Sequence, residues 1–128
     1  MAPTRHERTK PEYPRRGEIW LTALDPTVGR EIQKTRPALV IQNDISNRLS
    51  GVTIVAPITS TVRFPLNPVH VLLGTGDSTG LSVTSVAVFS QIRAVDRARL
   101  IKRLGVVDVQ TMEQADEAIK ISLGLLAI

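Results

Sequence analysis

Hydrophobic positions in this chain come in short bursts, separated by polar segments that carry most of the glycine and proline. That rhythm belongs to strands and turns more than to helices. Glu18 to Leu24 (EIWLTAL) has the length and residue types of a buried strand. Asp25 to Gly29 (DPTVG) signals a turn, and a loop runs on to Thr35. Ala38–Gln42 reads as a second short strand, entered through Arg36-Pro37, where the proline ring restricts the arginine to extended backbone. Asn43–Gly51 is polar, with room for a single helical or irregular turn.

Val52–Ile58 (VTIVAPI) is a third strand, with Pro57 marking its end or an edge position. Thr59–Pro68 forms a second loop, Val69–Leu73 a strand, Gly74–Gly80 a hairpin loop, and Ser82–Phe89 and Gln91–Val95 two more strands. Asp96–Leu100 suits one short turn. Only at the end does the period change. Asp108 is a candidate N-cap for a helix over 109–125, with Met112, Ala115, Ile119, Ser122 and Leu126 on one stripe. Trp20 and Phe89 are expected in the core. Five to seven short strands and one terminal helix predict a mainly β fold, a small, strongly bent antiparallel barrel. Residues 1–14, with three prolines and no apolar period, are expected to be a disordered, basic N-terminal extension before a single domain over 15–128.

Composition narrows this picture. Apolar residues make up 42% and charged residues 22%, ordinary for a globular domain. No apolar run approaches a membrane span and the first residues hold no signal-peptide core, so a cytoplasmic protein without membrane association is expected. The absence of cysteine excludes disulfides and thiolate chemistry. The net charge of +4 is segregated: residues 30–63 and 64–107 are each basic, whereas 108–128 holds four acids and Lys120. Two internal basic zones favour a polyanionic partner such as nucleic acid; the alternative is a basic tail with ordinary solvated faces.

The candidate chemistry is defined partly by elimination. His6 and His70 are the only histidines, and neither belongs to a metal-ligand spacing; His70, alternating with valines, is expected to be structural. No metal site and no cofactor are expected. The segment GTGDSTG (74–80) lacks the lysine of a phosphate loop. What remains is a set of loop-borne polar groups: Glu31, Lys34, Arg36, Thr59, Ser60, Arg63 and Gln91. A guanidinium binds phosphate with two donors and stabilises charge that develops on it, and a threonine hydroxyl can donate to a phosphate oxygen. Such groups suit metal-free RNA cleavage, in which the substrate supplies its own 2′-OH nucleophile.

Read in order, these segments resemble the MazF/PemK family of toxin endoribonucleases from type II toxin–antitoxin systems. The likeness is carried by Arg16-Gly17-Glu18-Ile19-Trp20, by Leu24 to Glu31 (LDPTVGRE), by Lys34 to Asp44 (KTRPALVIQND), by Val55 to Ser60 (VAPITS), by Phe64-Pro65 with His70-Val71, by Gln91-Ile92-Arg93, by Arg99-Leu100-Ile101 and by Ala118 to Leu125. It spans about residues 15–125. The resemblance implies the SH3-like barrel that this family shares with CcdB-type gyrase poisons, a homodimer, and an mRNA interferase that cuts single-stranded RNA at short motifs without metal, leaving 2′,3′-cyclic phosphate and 5′-hydroxyl ends.

By the same resemblance, Arg36 matches the essential arginine and Thr59 the essential threonine, Glu31 holds the acidic position five residues before Arg36, and Gln91 matches a glutamine near the RNA groove. Guanidinium groups hold their proton tightly, so Arg36 is assigned first to phosphate and transition-state charge. Glu31 either takes the 2′-OH proton or orients Arg36. Lys34 and Arg63 either track the RNA backbone or are solvated loop charges. Ser60 sits beside Thr59, and Phe64 is the aromatic to test for base stacking. Ser90 stands where many relatives carry an acid. A cognate antitoxin with an acidic, partly disordered segment is the implied partner. Two other readings compete: a noncatalytic CcdB-like poison of a protein such as gyrase, against which the ending Leu-Leu-Ala-Ile without tryptophan counts, and a barrel that binds Pro-rich ligands, which needs more aromatics than this chain has.

Overall fold

The computed structural model describes residues 13–128. The expected N-terminal extension, with His6, lies outside the described residues except for Tyr13 and Pro14. In chain order the elements are β1 (Glu18–Ala23), β2 (Thr35–Val40), α1 (Asp44–Leu49), β3 (Val52–Thr59), β4 (His70–Leu73), β5 (Ser85–Val88), a 3-10 turn (Phe89–Gln91), β6 (Arg93–Asp96), a second 3-10 turn (Arg97–Arg99), β7 (Leu100–Val106) and α2 (Val109–Ser122).

All pairings are antiparallel, in the order β4-β5-β3-β2-β1-β7, and β3 divides its length between two partners. Its first half, Val52–Val55, pairs with β6, and its last two residues, Ile58 and Thr59, pair with β5. Pro57 therefore lies well inside the strand and not at its end. The missing N–H is tolerated because Ala56 and Pro57 fall where neither β5 nor β6 is registered opposite them.

The turn Arg97–Arg99 joins β6 to β7, the two ends of the run β6-β3-β2-β1-β7. No ladder links those ends among the described residues. The sheet is therefore not closed into a barrel; the turn bridges its two ends, and Ala38, Val40, Val55 and Val95 form a small cluster with Trp20 and Leu100 packed against it. The opposite faces of the same strands build the main core: Ile19, Leu39, Ala56 and Ile58 meet Val71, Ala87 and Phe89 and the α2 residues Ala115 and Ala118. Burial on both faces explains why β2 and β3 read as continuous apolar runs without alternation. Helix α2 is capped by Asp108, whose carboxylate accepts from the Thr111 N–H at 2.8 Å, and Ser122 donates to the Phe89 carbonyl at 2.8 Å.

The loop between β4 and β5 also reaches across to the outer strand. Its Ser78 carbonyl accepts from the Val106 N–H at 2.8 Å, so this loop docks on the outer strand β7. The approach is too close for side chains. A Cβ on Gly105 would stand 2.3 Å from the Ser78 oxygen, and one on Gly80, at φ +74, 2.1 Å from the Leu104 oxygen.

Several boundaries depart from the sequence expectation. β2 begins three residues early, at Thr35, because Thr35–Pro37 pair with Leu21–Ala23 of β1, and it ends at Val40. Phe89 is fully buried but belongs to a 3-10 turn, which also removes Gln91 from β6. α1 is a six-residue helix whose cap Asn43 accepts from the Ser46 N–H. α2 stops at Ser122, where Leu125 N–H folds back to the Lys120 carbonyl at 2.7 Å. β7 has no counterpart in the sequence reading: it is an edge strand interrupted by two register shifts, with Ile101, Lys102 and Arg103 exposed.

Candidate active site

The register of β2 against β3 pairs Ala38 with Pro57. Arg36 is registered with Thr22 of β1, and Thr59 with Val86 of β5. The two principal candidates each lie two residues beyond the Ala38–Pro57 pair, at the end of the sheet where β1 passes into its loop and β3 emerges into its own. Both are half-buried. Arg36 lines a cleft of about 280 Å³ with Ile58, Ser60, Leu81, Ser82 and Leu104, a polar rim over an apolar floor.

Arg36 is held from behind. Its Nε donates to the Gln33 carbonyl at 3.0 Å. Neither terminal nitrogen has a partner among the described residues, so both are free to meet an anion as a fork. The Thr59 hydroxyl accepts from the Thr61 N–H at 3.2 Å, which leaves its proton available to donate outward. Ser60 is exposed at the cleft rim.

Glu31 makes no hydrogen bond or ion pair to Arg36. It is exposed, and its Oε1 accepts from the Val28 N–H at 2.8 Å in a local turn that Glu31 N–H to Val28 carbonyl completes at 3.2 Å. Its second oxygen has no partner among the described residues. Lys34 is exposed on the same loop and adopts φ 73, unusual for a residue with a side chain. Its carbonyl accepts from the Leu24 N–H at 3.0 Å, closing the neck of the loop. Arg63 and Phe64 are exposed on the loop after β3, Phe64 by 73%, and Arg63 has no partner among the described residues.

Gln91 is hydrogen-bonded to the backbone of the β1–β2 loop. Its Oε1 accepts from the Ile32 N–H at 2.7 Å and its Nε2 donates to the Arg30 carbonyl at 3.3 Å. The sequence reading missed Arg93 and Arg99 as loop braces: Arg93 donates to the Leu24 carbonyl at 3.1 Å, and Arg99 to those of Ala23 and Asp25. It also missed Ser82 and Leu104 as cleft walls, since nothing local in the serine-rich hairpin loop or in β7 advertises them. Among the described residues no group of three or more His, Cys, Asp or Glu is placed to hold a metal, and no helix is long and apolar enough to cross a membrane.

The sequence and its bent antiparallel sheet with one covering helix match a known class. The model of the PemK-like, MazF-like toxins of type II toxin–antitoxin systems matches residues 15–123. The chain belongs to that family. It is 40% identical over 112 residues to Endoribonuclease EndoA of Bacillus subtilis, covering 88% of this chain and 96% of that one. It is also 40% identical over 116 residues to Endoribonuclease MazF9 of Mycobacterium tuberculosis, covering 87% and 97%. The fold superposes on MazF from Deinococcus radiodurans with a TM-score of 0.75 at 25% identity, over 89% of this chain and 99% of that one. A mycobacterial endoribonuclease in complex with its cognate antitoxin superposes with a TM-score of 0.73 at 25% identity, over 90% and 99%.

Proposed function

We propose that the chain is a toxin endoribonuclease that cleaves single-stranded mRNA at short sequence motifs and thereby inhibits translation and growth. The carrying observation is the free guanidinium fork of Arg36, which lines a cleft with polar and apolar walls at the end of the sheet where Thr59 closes β3. In the reaction the RNA 2′-oxygen attacks the adjacent phosphorus and the bond to the 5′-oxygen breaks. The products are a 2′,3′-cyclic phosphate and a 5′-hydroxyl. Arg36 and Thr59 take up the charge that grows on the phosphoryl oxygens. The free oxygen of Glu31 accepts the 2′-OH proton, and the departing 5′-oxygen is protonated from water. With the nucleophile supplied by the substrate, the reaction needs no metal.

Lys34 and Arg63 follow the RNA backbone, and exposed Phe64 offers a ring to an unstacked base. Recognition rests mainly on hydrogen bonds to splayed bases. The partners are a second copy of the chain and a cognate antitoxin whose acidic segment neutralises the basic loops. Exposed apolar side chains such as Ile45, Leu49 and Leu125 support assembly. The cytoplasm, where mRNA is translated, is the proposed site of action. The test is end analysis of RNA incubated with the purified protein: cyclic-phosphate and 5′-hydroxyl termini are expected, whereas 5′-phosphate termini would refute the transesterification route.

A further inference from the structure

The loop that carries Glu31 and Lys34 has little apolar anchorage. Across residues 25–34 only Thr27 and Ile32 are even partly covered, and Val28 is 78% exposed. A loop without buried contacts keeps one conformation only if its backbone polar groups are bound. Here they are bound from one side. Five hydrogen bonds come from a single short segment, residues 91–99, three to the loop itself and two to Ala23 and Leu24, which lead into it. Gln91 contributes two, to Arg30 and Ile32; Arg93 contributes one, to Leu24; Arg99 contributes two, to Ala23 and Asp25.

The geometry assigns Gln91 as a positioning residue, with Arg93 and Arg99, that locks the β1–β2 loop and through it Arg36. Both ends of the Gln91 amide are engaged by the loop backbone, which fixes the orientation of the amide and leaves one N–H and one lone pair unspent. The amide fixes Arg30 and Ile32; the next residue, Gln33, supplies the carbonyl that holds Arg36 Nε. The two arginines fix the other end of the loop at its neck, beside the Leu24 to Lys34 bond. The clamp therefore orders Glu31 and Arg36 together before any RNA arrives, and binding need not supply that ordering. The catalytic consequence rests on the proposed RNA cleavage; the clamp itself does not.

Gln91→Ala removes both amide bonds, and Gln91→Glu keeps the acceptor for Ile32 while losing the donor to Arg30. Two readouts separate the questions. The first uses no RNA: amide exchange at Ile32 and tryptic cleavage after Arg30 and Lys34, both inside the loop. In Gln91→Ala, exchange at Ile32 and cleavage within the loop should accelerate about tenfold or more, with protection partly restored in Gln91→Glu. The second is steady-state RNA cleavage, where kcat should fall about tenfold in Gln91→Ala with KM nearly unchanged and the preferred sequence retained. Unchanged Ile32 exchange and tryptic resistance in Gln91→Ala would overturn the clamp. A raised KM or altered sequence preference with the loop still protected would make Gln91 an RNA contact instead. An inactive wild type with a protected loop that opens in Gln91→Ala would sustain the clamp and refute the proposed nuclease. If Gln91→Ala does not fold, the partial loss expected in Gln91→Glu decides by the same two readouts.

Discussion

The carbonyl of Gln33 accepts from Arg36 Nε at 3.0 Å, so the arginine at the start of β2 is oriented by the loop that leads into it. This contact uses the one guanidinium nitrogen that points back along the side chain and leaves the two-nitrogen fork facing out. A lysine in this position has a single ammonium and cannot both hold Gln33 and present a planar pair of donors. Arg36→Lys is therefore expected to behave much more like Arg36→Ala than like wild type.

Thr59 ends β3 with its hydroxyl accepting from the Thr61 N–H. Thr59→Ala should lower kcat/KM by about 10²-fold, the scale of losing one donor to a developing oxyanion. Thr59→Ser keeps the hydroxyl and should recover most of that loss. Steady-state kinetics on one RNA substrate across the three proteins checks this, with thermal unfolding as the control for folding.

Gly105 and Gly80 test how the loop between β4 and β5 docks on β7. Alanine at 105 would drive its Cβ into the Ser78 carbonyl, and alanine at 80 would meet the Leu104 carbonyl in a left-handed backbone conformation. Each clash is with backbone, which has no rotamer to yield. Either substitution should destabilise the fold by about 3 kcal/mol or more. Gly51, around which nothing lies within 4 Å, is the comparison site, where alanine should change stability by less than about 1 kcal/mol. Denaturant unfolding of the three variants measures the difference.

The capping carboxylate of Asp108 gives a pH dependence of known sign. Hydrogen bonds from Thr111, first from its hydroxyl and then from its backbone N–H, hold the carboxyl below the ordinary aspartate range. A depressed folded value means that the unfolded chain binds the proton more readily. The stabilisation is present above the unfolded value, near ~3.9, and is lost as pH falls toward the lower folded value. Asp108→Asn retains a cap without the titration. The melting-temperature gap between wild type and this variant should shrink as pH is lowered through 4 toward ~2.5; a gap constant across that range would contradict the assignment.

Much of this architecture was legible locally. β1 and most of β3 follow from apolar runs of strand length, and the Asp108 cap from an acid placed just before a helical stripe. That Arg36 and Thr59 act together is implied only by family resemblance, since neither segment alone points to the other. β7 escaped because three consecutive positions, Ile101 to Arg103, are exposed and its register shifts break the period-two signal. β2 was begun too late because Pro37 looks like a boundary, although the strand runs through it in register with Leu21. The role of Gln91 was hidden by distance: its partners are 59 and 61 residues away, so no local pattern connects them.

The central claim is that Arg36 and Thr59 carry metal-independent RNA cleavage on this fold. Its most direct test is incubation of a mixed single-stranded RNA with wild type and Arg36→Ala side by side in EDTA, both checked for native melting. The account predicts discrete fragments with cyclic-phosphate ends from the wild type, and loss of about 10²-fold or more in the variant. Equal cleavage by a folded Arg36→Ala, or no cleavage by a folded wild type, would contradict it.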